Sequence, residues 1–343
     1  MLVELRLRDN LKLTSVEICA GAGGQALGLE QAGFHHLGLV EIDRDAVQTI
    51  RHNRPSWNVI EADLLEWQPE PEMVMPDLLA GGVPCPPFSM GGKQLGEADE
   101  RNLFPRAIEL VEQLRPRAVM LENVRGIMGK KFDDYRDTIS KSLADLGYTP
   151  QWKLLTSADF GVPQLRPRAL LVALGPGEGE FVFPEGDKNV RISVGEVLHD
   201  SMASAGWEGA AAWAAGANTI APTLVGGSKK HGGADLGPTR AKAAWAKLGV
   251  DGKGLADEPP QPGSTGMPRL TVDMAAQVQG FPIDWHITGR KTSAYRQVGN
   301  AFPPPVAKAV GLKIAEVLNS AKPGFSESPR GTETALSRVA AGQ

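Results

Sequence analysis

Residues 14–26 read Thr14-Ser-Val-Glu-Ile-Cys19-Ala-Gly21-Ala-Gly23-Gly24-Gln25-Ala26. A short apolar run over 14–19 meets a glycine-rich turn, and a helical stretch over 25–32 follows. Gly21 to Ala26 fits the pattern G-x-G-x-x-A between a strand and a helix. A second strand, 37–41, ends on Glu41, twenty residues beyond Gly21. A tight glycine turn lets a ligand approach the backbone, and an acid at the next strand end can accept hydrogen bonds from ribose hydroxyls. NAD and S-adenosylmethionine are equally open at this loop. Asp63, in Glu61-Ala-Asp63-Leu64, can accept from an adenine amino group, which both cofactors carry.

Outward from this corner the alternation continues. Strands are predicted near 59–60, 77–80, 118–122, 152–155 and 169–174. Helices are predicted over 44–53, 103–114 and 134–146. Strands separated by helical patterns predict an α/β fold with a doubly wound, mostly parallel sheet. After Gly175 the pattern changes. Residues 176–268 are rich in Gly, Pro, Ala and Ser and read as a small, loop-rich inserted domain. Order returns with a helix capped by Thr271 and an amphipathic helix over 306–318, a return to the first domain across 269–320. Residues 321–343 read as a disordered tail.

The most informative stretch is Ala80-Gly-Gly-Val-Pro-Cys85-Pro-Pro-Phe-Ser89. It follows a strand, so Cys85 sits near the carboxyl edge of the sheet, where α/β ligand sites lie. Three prolines fix the loop, which a nucleophile needs. Leu121-Glu122-Asn123-Val124 ends another buried strand on an acid, whose pKa partial desolvation should raise. Gln164-Leu-Arg166-Pro-Arg168 precedes the last strand, and alternation places both arginines on one side. Their guanidiniums can meet a base carbonyl, a loop or a phosphate.

Taken together, Ala20-Gly-Ala-Gly-Gly24, Pro84-Cys85 with Phe88-Ser89, Glu122-Asn-Val124, Gln164-Leu-Arg166-Pro-Arg168, Gln279-Gly-Phe-Pro282 and Gln297-Val-Gly-Asn300 resemble the cytosine-C5 DNA methyltransferase family, of the bacterial restriction-modification type. The motifs stand in the family's order and span residues 14 to about 318, apart from the variable insertion. Two positions depart from the pattern. Cys19 stands where the family usually has an aromatic residue against adenine, and Pro86 stands where it commonly has Gln.

The resemblance implies a Rossmann-like catalytic domain over 1–175 that uses S-adenosylmethionine, and a target-recognition domain over 176–268. It implies Cys85, Glu122, Arg166 and Arg168 as catalytic residues. Cofactor contacts are implied at Cys19, Ala20, Gly21, Gly23, Gly24, Glu41, Ile42, Asp63, Leu64, Pro84 and Asn300. The Cys85 thiolate would attack C6 of cytosine, protonated Glu122 would serve N3, and Arg168, with Arg166 behind it, would hold O2. The target base must leave the helix to reach such a site, which costs a few kcal/mol. DNA contacts are expected at Ser89, Gln164, Thr223, Leu224, Lys229, Lys230 and Arg240. Between residues 226 and 247, five Lys and Arg stand against Asp235 alone, a local +4 in a chain of net charge −4. That is the footprint expected on phosphates.

Composition excludes other classes. The chain has 343 residues, 42% of them hydrophobic, enough for a full core. Its longest apolar runs fall far short of the roughly 20 residues of a membrane span. The first residues lack the apolar core of a signal peptide, which predicts a cytoplasmic protein at work on the nucleoid. Two cysteines cannot build a tetrahedral zinc site, and no metal is expected. His35 and His36 read as structural or exposed. The expected partners are double-stranded DNA and a cognate restriction endonuclease acting on the same site, with the protein itself a monomer. The alternatives weighed are a tRNA-directed branch of the same family, an NAD-dependent oxidoreductase and a catalytically silent DNA-binding protein.

Overall fold

The computed structural model describes residues 12–84, 102–226 and 233–320. Seven strands form one sheet: β1 (Thr14–Ile18), β2 (His35–Glu41), β3 (Val59–Glu61), β4 (Leu78–Gly82), β5 (Ala118–Val124), β6 (Thr149–Thr156) and β7 (Pro167–Leu174). Their order is β3-β2-β1-β4-β5-β7-β6, and all run parallel except β7, which is antiparallel to both neighbours. The helices are α1 (Gly24–Gln31), α2 (Arg44–Asn53), α3 (Phe104–Leu114), α4 (Asp133–Asp145), α5 (Val194–Ala203), α6 (Ala210–Gly216), α7 (Thr239–Lys247), α8 (Val272–Val278), α9 (Lys291–Asn300) and α10 (Pro304–Ser320). The chain winds from β1 outward to β3, then returns to β4 on the other side of β1. This reversal opens a crevice beyond the carboxyl ends of β1 and β4, where ligands bind in such sheets.

The central strands read as apolar runs because both faces are covered. Leu79, Val119, Leu121 and Leu171 face one cluster with α3 and Leu143 of α4. Leu78, Ala80, Met120, Leu170 and Val172 face the other, with Val306, Val310 and Ile314 of α10. Each of the larger of these side chains contributes about 1.5–3 kcal/mol when fully buried. α10 lies directly on α1 because Gly28 has no side chain. A Cβ there would stand 2.4 Å from the Pro304 carbonyl oxygen and 2.5 Å from the Ala307 Cβ. His36 is buried between the Ser15 hydroxyl (2.8 Å) and the Ala26 carbonyl (3.0 Å), bonds that tie α1 to β1 and β2. Burial pushes its pKa down to about 4, so the ring is neutral.

The insertion differs from a purely loop-rich stretch. Residues 176–268 hold α5, α6 and α7 and, among the described residues, no strand. Their apolar interior, around Leu198, Trp213 and Trp245, is continuous with Met274 and Val278 of α8 and with Tyr295 and Val298 of α9. The chain therefore returns to the sheet through helices that also back the insertion. Thr271 caps α8 as expected, its hydroxyl accepting the Met274 N–H at 3.1 Å, a bond worth about 1 kcal/mol. The segment 321–343 lies outside the described residues. Among those described, no helix is long and apolar enough to cross a membrane, and no cluster of His, Cys, Asp and Glu could hold a metal ion.

Candidate active site

The end of β1 turns through three left-handed residues, Cys19 (φ 53°), Gly21 (φ 55°) and Gly23 (φ 81°). Glycine adopts this conformation without cost, whereas a side-chain-bearing residue such as Cys19 stores of order 1–3 kcal/mol. The turn aims the Gly21 N–H at the Glu41 carboxylate, 2.7 Å away. The second Glu41 oxygen accepts the Asp43 N–H, also at 2.7 Å. Parallel pairing of β1 and β2 brings the two strand ends together. Burial raises the Glu41 pKa, and the N–H groups of Asp43 and Gly21 oppose it. Each carboxylate oxygen keeps lone pairs for further donors.

A cavity of about 630 Å³ opens beside this clamp. Of the eleven residues expected to meet a cofactor, Cys19, Ala20, Gly21, Glu41, Ile42, Asp63, Leu64, Pro84 and Asn300 line it. Leu64 is buried, while Ile42 is 62% exposed at the rim. Gly23 and Gly24 do not line it. Gly23 is the N-cap of α1, where a Cβ would stand 3.1 Å from the Trp285 ring, and a Cβ on Gly24 would stand 2.4 Å from the Phe302 carbonyl oxygen, so packing calls for glycine at both.

At the other end of the same cavity lie Glu122 and Arg168. Antiparallel pairing sets β7 against β5 with Arg168 opposite Val124. The Arg168 Nε stands 2.7 Å from the Glu122 Oε1, and both side chains are buried. Burial raises the Glu122 pKa, more than the positive charges of Arg168 and Arg166 lower it. The carboxyl is therefore held toward its protonated form, as the sequence suggested. Asn123 donates its side-chain N–H to the Val83 carbonyl at 2.7 Å, which fixes the chain entering the proline loop. Cys85 and Ser89 themselves lie outside the described residues, as do Lys229 and Lys230.

Arg166 does something other than reach a base. It is fully buried and does not line the cavity. It donates to the carbonyls of Leu224 (2.8 Å), Gly299 (2.7 Å) and Ala301 (3.0 Å). The guanidinium thus pins the end of the insertion and the end of α9 to the start of β7. Gln164 and Leu224, expected at DNA, are corrected in the same way. Both are fully buried. The Gln164 amide donates to Gln279 Oε1 (2.7 Å) and accepts the Leu224 N–H (2.8 Å), so neither side chain is open to a duplex. The Thr223 hydroxyl donates to the Leu165 carbonyl oxygen. Arg240 is exposed on α7, while Lys242 of the same helix pairs with Asp235 at 2.7 Å. These contacts account for why the separated glutamine and arginine motifs occur together: they bond to one another.

Among the polar and charged lining residues, Glu17, Gln25, Asp43 and Arg296 were not singled out for the site by the sequence reading. A charged residue inside the apolar run of β1 was a usable signal for Glu17. Asp43, two residues past Glu41, caps α2 by accepting the Asp45 N–H. Arg296 stands just before Gln297, and nothing local marks it.

The C-5 cytosine-specific DNA methylase family matches residues 13–316. The Type II methyltransferase M.NaeI of Lentzea aerocolonigenes is 56% identical over 90% of this chain and 76% of its own. M.NgoMIV of Neisseria gonorrhoeae, also a Type II methyltransferase, is 53% identical over 90% of this chain and 99% of its own. In fold, the chain superposes on a DNA modification methyltransferase encoded within an Escherichia coli prophage, with TM-score 0.63 and 20% identity over 90% of this chain and 99% of that one. With a family match across most of its length and relatives more than half identical, the chain belongs to the C-5 cytosine-specific DNA methylases and is a DNA (cytosine-5-)-methyltransferase.

Proposed function

We propose that the chain methylates C5 of a cytosine within a specific double-stranded DNA sequence, using S-adenosylmethionine and a covalent Cys85–C6 adduct. One observation carries the reading: the Glu41–Gly21 clamp and the Glu122–Arg168 pair share one cavity, and the chain bearing Cys85 leaves from its wall at Pro84. The lining fits the cofactor. Glu41 offers lone pairs to ribose hydroxyls, Asp63 an acceptor for an adenine amino group, and Ile42 and Leu64 an apolar bed for the base. Space is open where a Cβ on Gly21 would point. Bound there, the cofactor supplies the methyl group.

The cytosine leaves the duplex and enters the Glu122 end. The Cys85 thiolate bonds to C6, and the ring electrons move toward N3 and C5. Glu122, whose pKa burial raises, gives a proton to N3. Arg168 steadies O2 and stays paired with the carboxylate that Glu122 becomes. C5, now electron-rich, takes the methyl group. Loss of the C5 proton to a base, elimination of the thiolate and return of the N3 proton to Glu122 then restore the aromatic ring.

The insertion 176–268 serves target recognition, with exposed Arg240 toward phosphate. The protein works as a monomer on DNA and protects the sites of a cognate restriction endonuclease. Bisulfite sequencing of DNA from cells expressing the protein tests the reading. A single motif with one cytosine protected supports it. Uniformly converted DNA, with methyl groups recovered in RNA instead, would reject it.

A further inference from the structure

The cavity wall carries five carboxyls, Glu17, Glu41, Asp43, Asp63 and Glu122, against two guanidiniums, Arg168 and Arg296. Such a wall suits a cationic ligand and repels a carboxylate. S-adenosylmethionine is both, with a sulfonium and an ammonium beside one α-carboxylate. Arg168 is committed to Glu122 at the target-base end. Arg296 sits on α9, one helical turn before Asn300 and on the same face, and both line the cavity.

The Arg296 side chain is 19% exposed, so a small ligand can reach it in a largely dry setting. Its Nη2 donates to Asp43 Oδ2 at 3.1 Å and to the Ser293 hydroxyl at 3.2 Å. Its Nε and Nη1 have no protein partner among the described residues. A guanidinium presents five N–H donors in a planar fork suited to a carboxylate. Asp43 in turn donates its N–H to Glu41, so Arg296 stands one residue beyond the ribose clamp, on the side toward Asn300.

Resting on the cofactor reading above, we propose that Arg296 recognises the α-carboxylate of S-adenosylmethionine. The Asp43 and Ser293 contacts hold the guanidinium in place and leave its other donors for the ligand. Without Arg296 the wall at this end would carry carboxyls and no cation.

The test is calorimetric binding without DNA, so that no turnover contributes, with S-adenosylmethionine and its decarboxylated form, which lacks only the carboxylate. Wild-type protein should prefer S-adenosylmethionine by about tenfold or more, the range for a charge-assisted hydrogen bond. In Arg296→Ala that preference should collapse or invert, with the decarboxylated ligand held within about threefold of wild type by the same reasoning. Arg296→Lys keeps the charge and should keep part of the preference, and it serves if the alanine variant fails to fold. Equal weakening of both ligands would mean that Arg296 only braces Asp43 and the ribose clamp, and would overturn the proposal. Unchanged affinities would overturn it as well. Wild-type protein that binds neither ligand would instead reject the cofactor reading itself.

Discussion

Replacing Arg166 by Met keeps a long, unbranched side chain and removes every donor. Two buried carbonyls, of Leu224 and Gly299, then lose their side-chain donor, while the Ala301 carbonyl keeps the Gln279 amide. Each orphaned buried acceptor costs about 1–3 kcal/mol, so the sum is about 2–6 kcal/mol. The wild-type cation itself pays for burial: Arg166 has a pKa well below the usual arginine value because burial and the nearby Arg168 disfavour its charge. Removing that cost offsets part of the loss. The net expectation is about 3–5 kcal/mol, the range for breaking a buried charged network. In a chain of this size that is a fall in thermal midpoint of roughly 5–10 °C. Differential scanning calorimetry measures it, and hydrogen exchange should localise the loosening to residues 221–226 and 299–302. If Arg166→Met unfolds within 1 kcal/mol of wild type yet loses methyl transfer by orders of magnitude, the assignment as a structural clamp is wrong and the side chain acts on the reaction.

Three further outcomes follow from particular contacts. Glu17 is buried in β1, and burial, with Glu41 nearby, raises its pKa well above the ordinary value, against the Ala26 N–H. A carboxyl raised on folding gives stability that is full below its unfolded pKa and is lost as pH rises through its folded value. Glu17→Gln should thus be more stable than wild type at pH 8 and close to it at pH 4, by thermal melts; parallel curves would sink this. Gly28→Ala places a methyl 2.4 Å from the Pro304 carbonyl oxygen, so α10 must shift, and chemical denaturation should show a loss of about 1–3 kcal/mol or more. Glu122→Gln can still hydrogen-bond but cannot deliver a proton to N3, so single-turnover methyl transfer should slow roughly 10²–10⁴-fold with DNA affinity little changed. A rate within threefold of wild type would remove Glu122 as the acid.

The parts of the fold that could be read from sequence are those whose signal is local. The glycine turn, the acid ending β2, the apolar strands and the Thr271 cap each announce themselves within a few residues. Arg166 misled because alternation was carried back to a residue that precedes β7, which begins only at Pro167. Arg168 follows the strand's pleat to Glu122, while Arg166 lies on the approach, where the chain runs beside 221–224. Gln164 and Leu224 look like surface recognition residues until that pairing is known. Arg296 meets Asp43 across 253 positions of sequence, which no short-range pattern reveals. In the insertion, α6 reads Ala-Ala-Ala-Trp-Ala-Ala-Gly and offers no apolar period to mark a helix.

The central claim is that Cys85 forms a covalent bond to C6 of the target cytosine while the other groups of the cavity serve that step. A duplex with 5-fluorocytosine at the protected position tests it directly, because fluorine at C5 cannot leave as the proton does. With S-adenosylmethionine present, wild-type protein should yield a denaturant-resistant protein–DNA complex, and Cys85→Ser should yield none while still binding the cofactor. A wild-type protein that methylates the ordinary site but is never trapped, or a serine variant that is trapped equally well, would contradict the account.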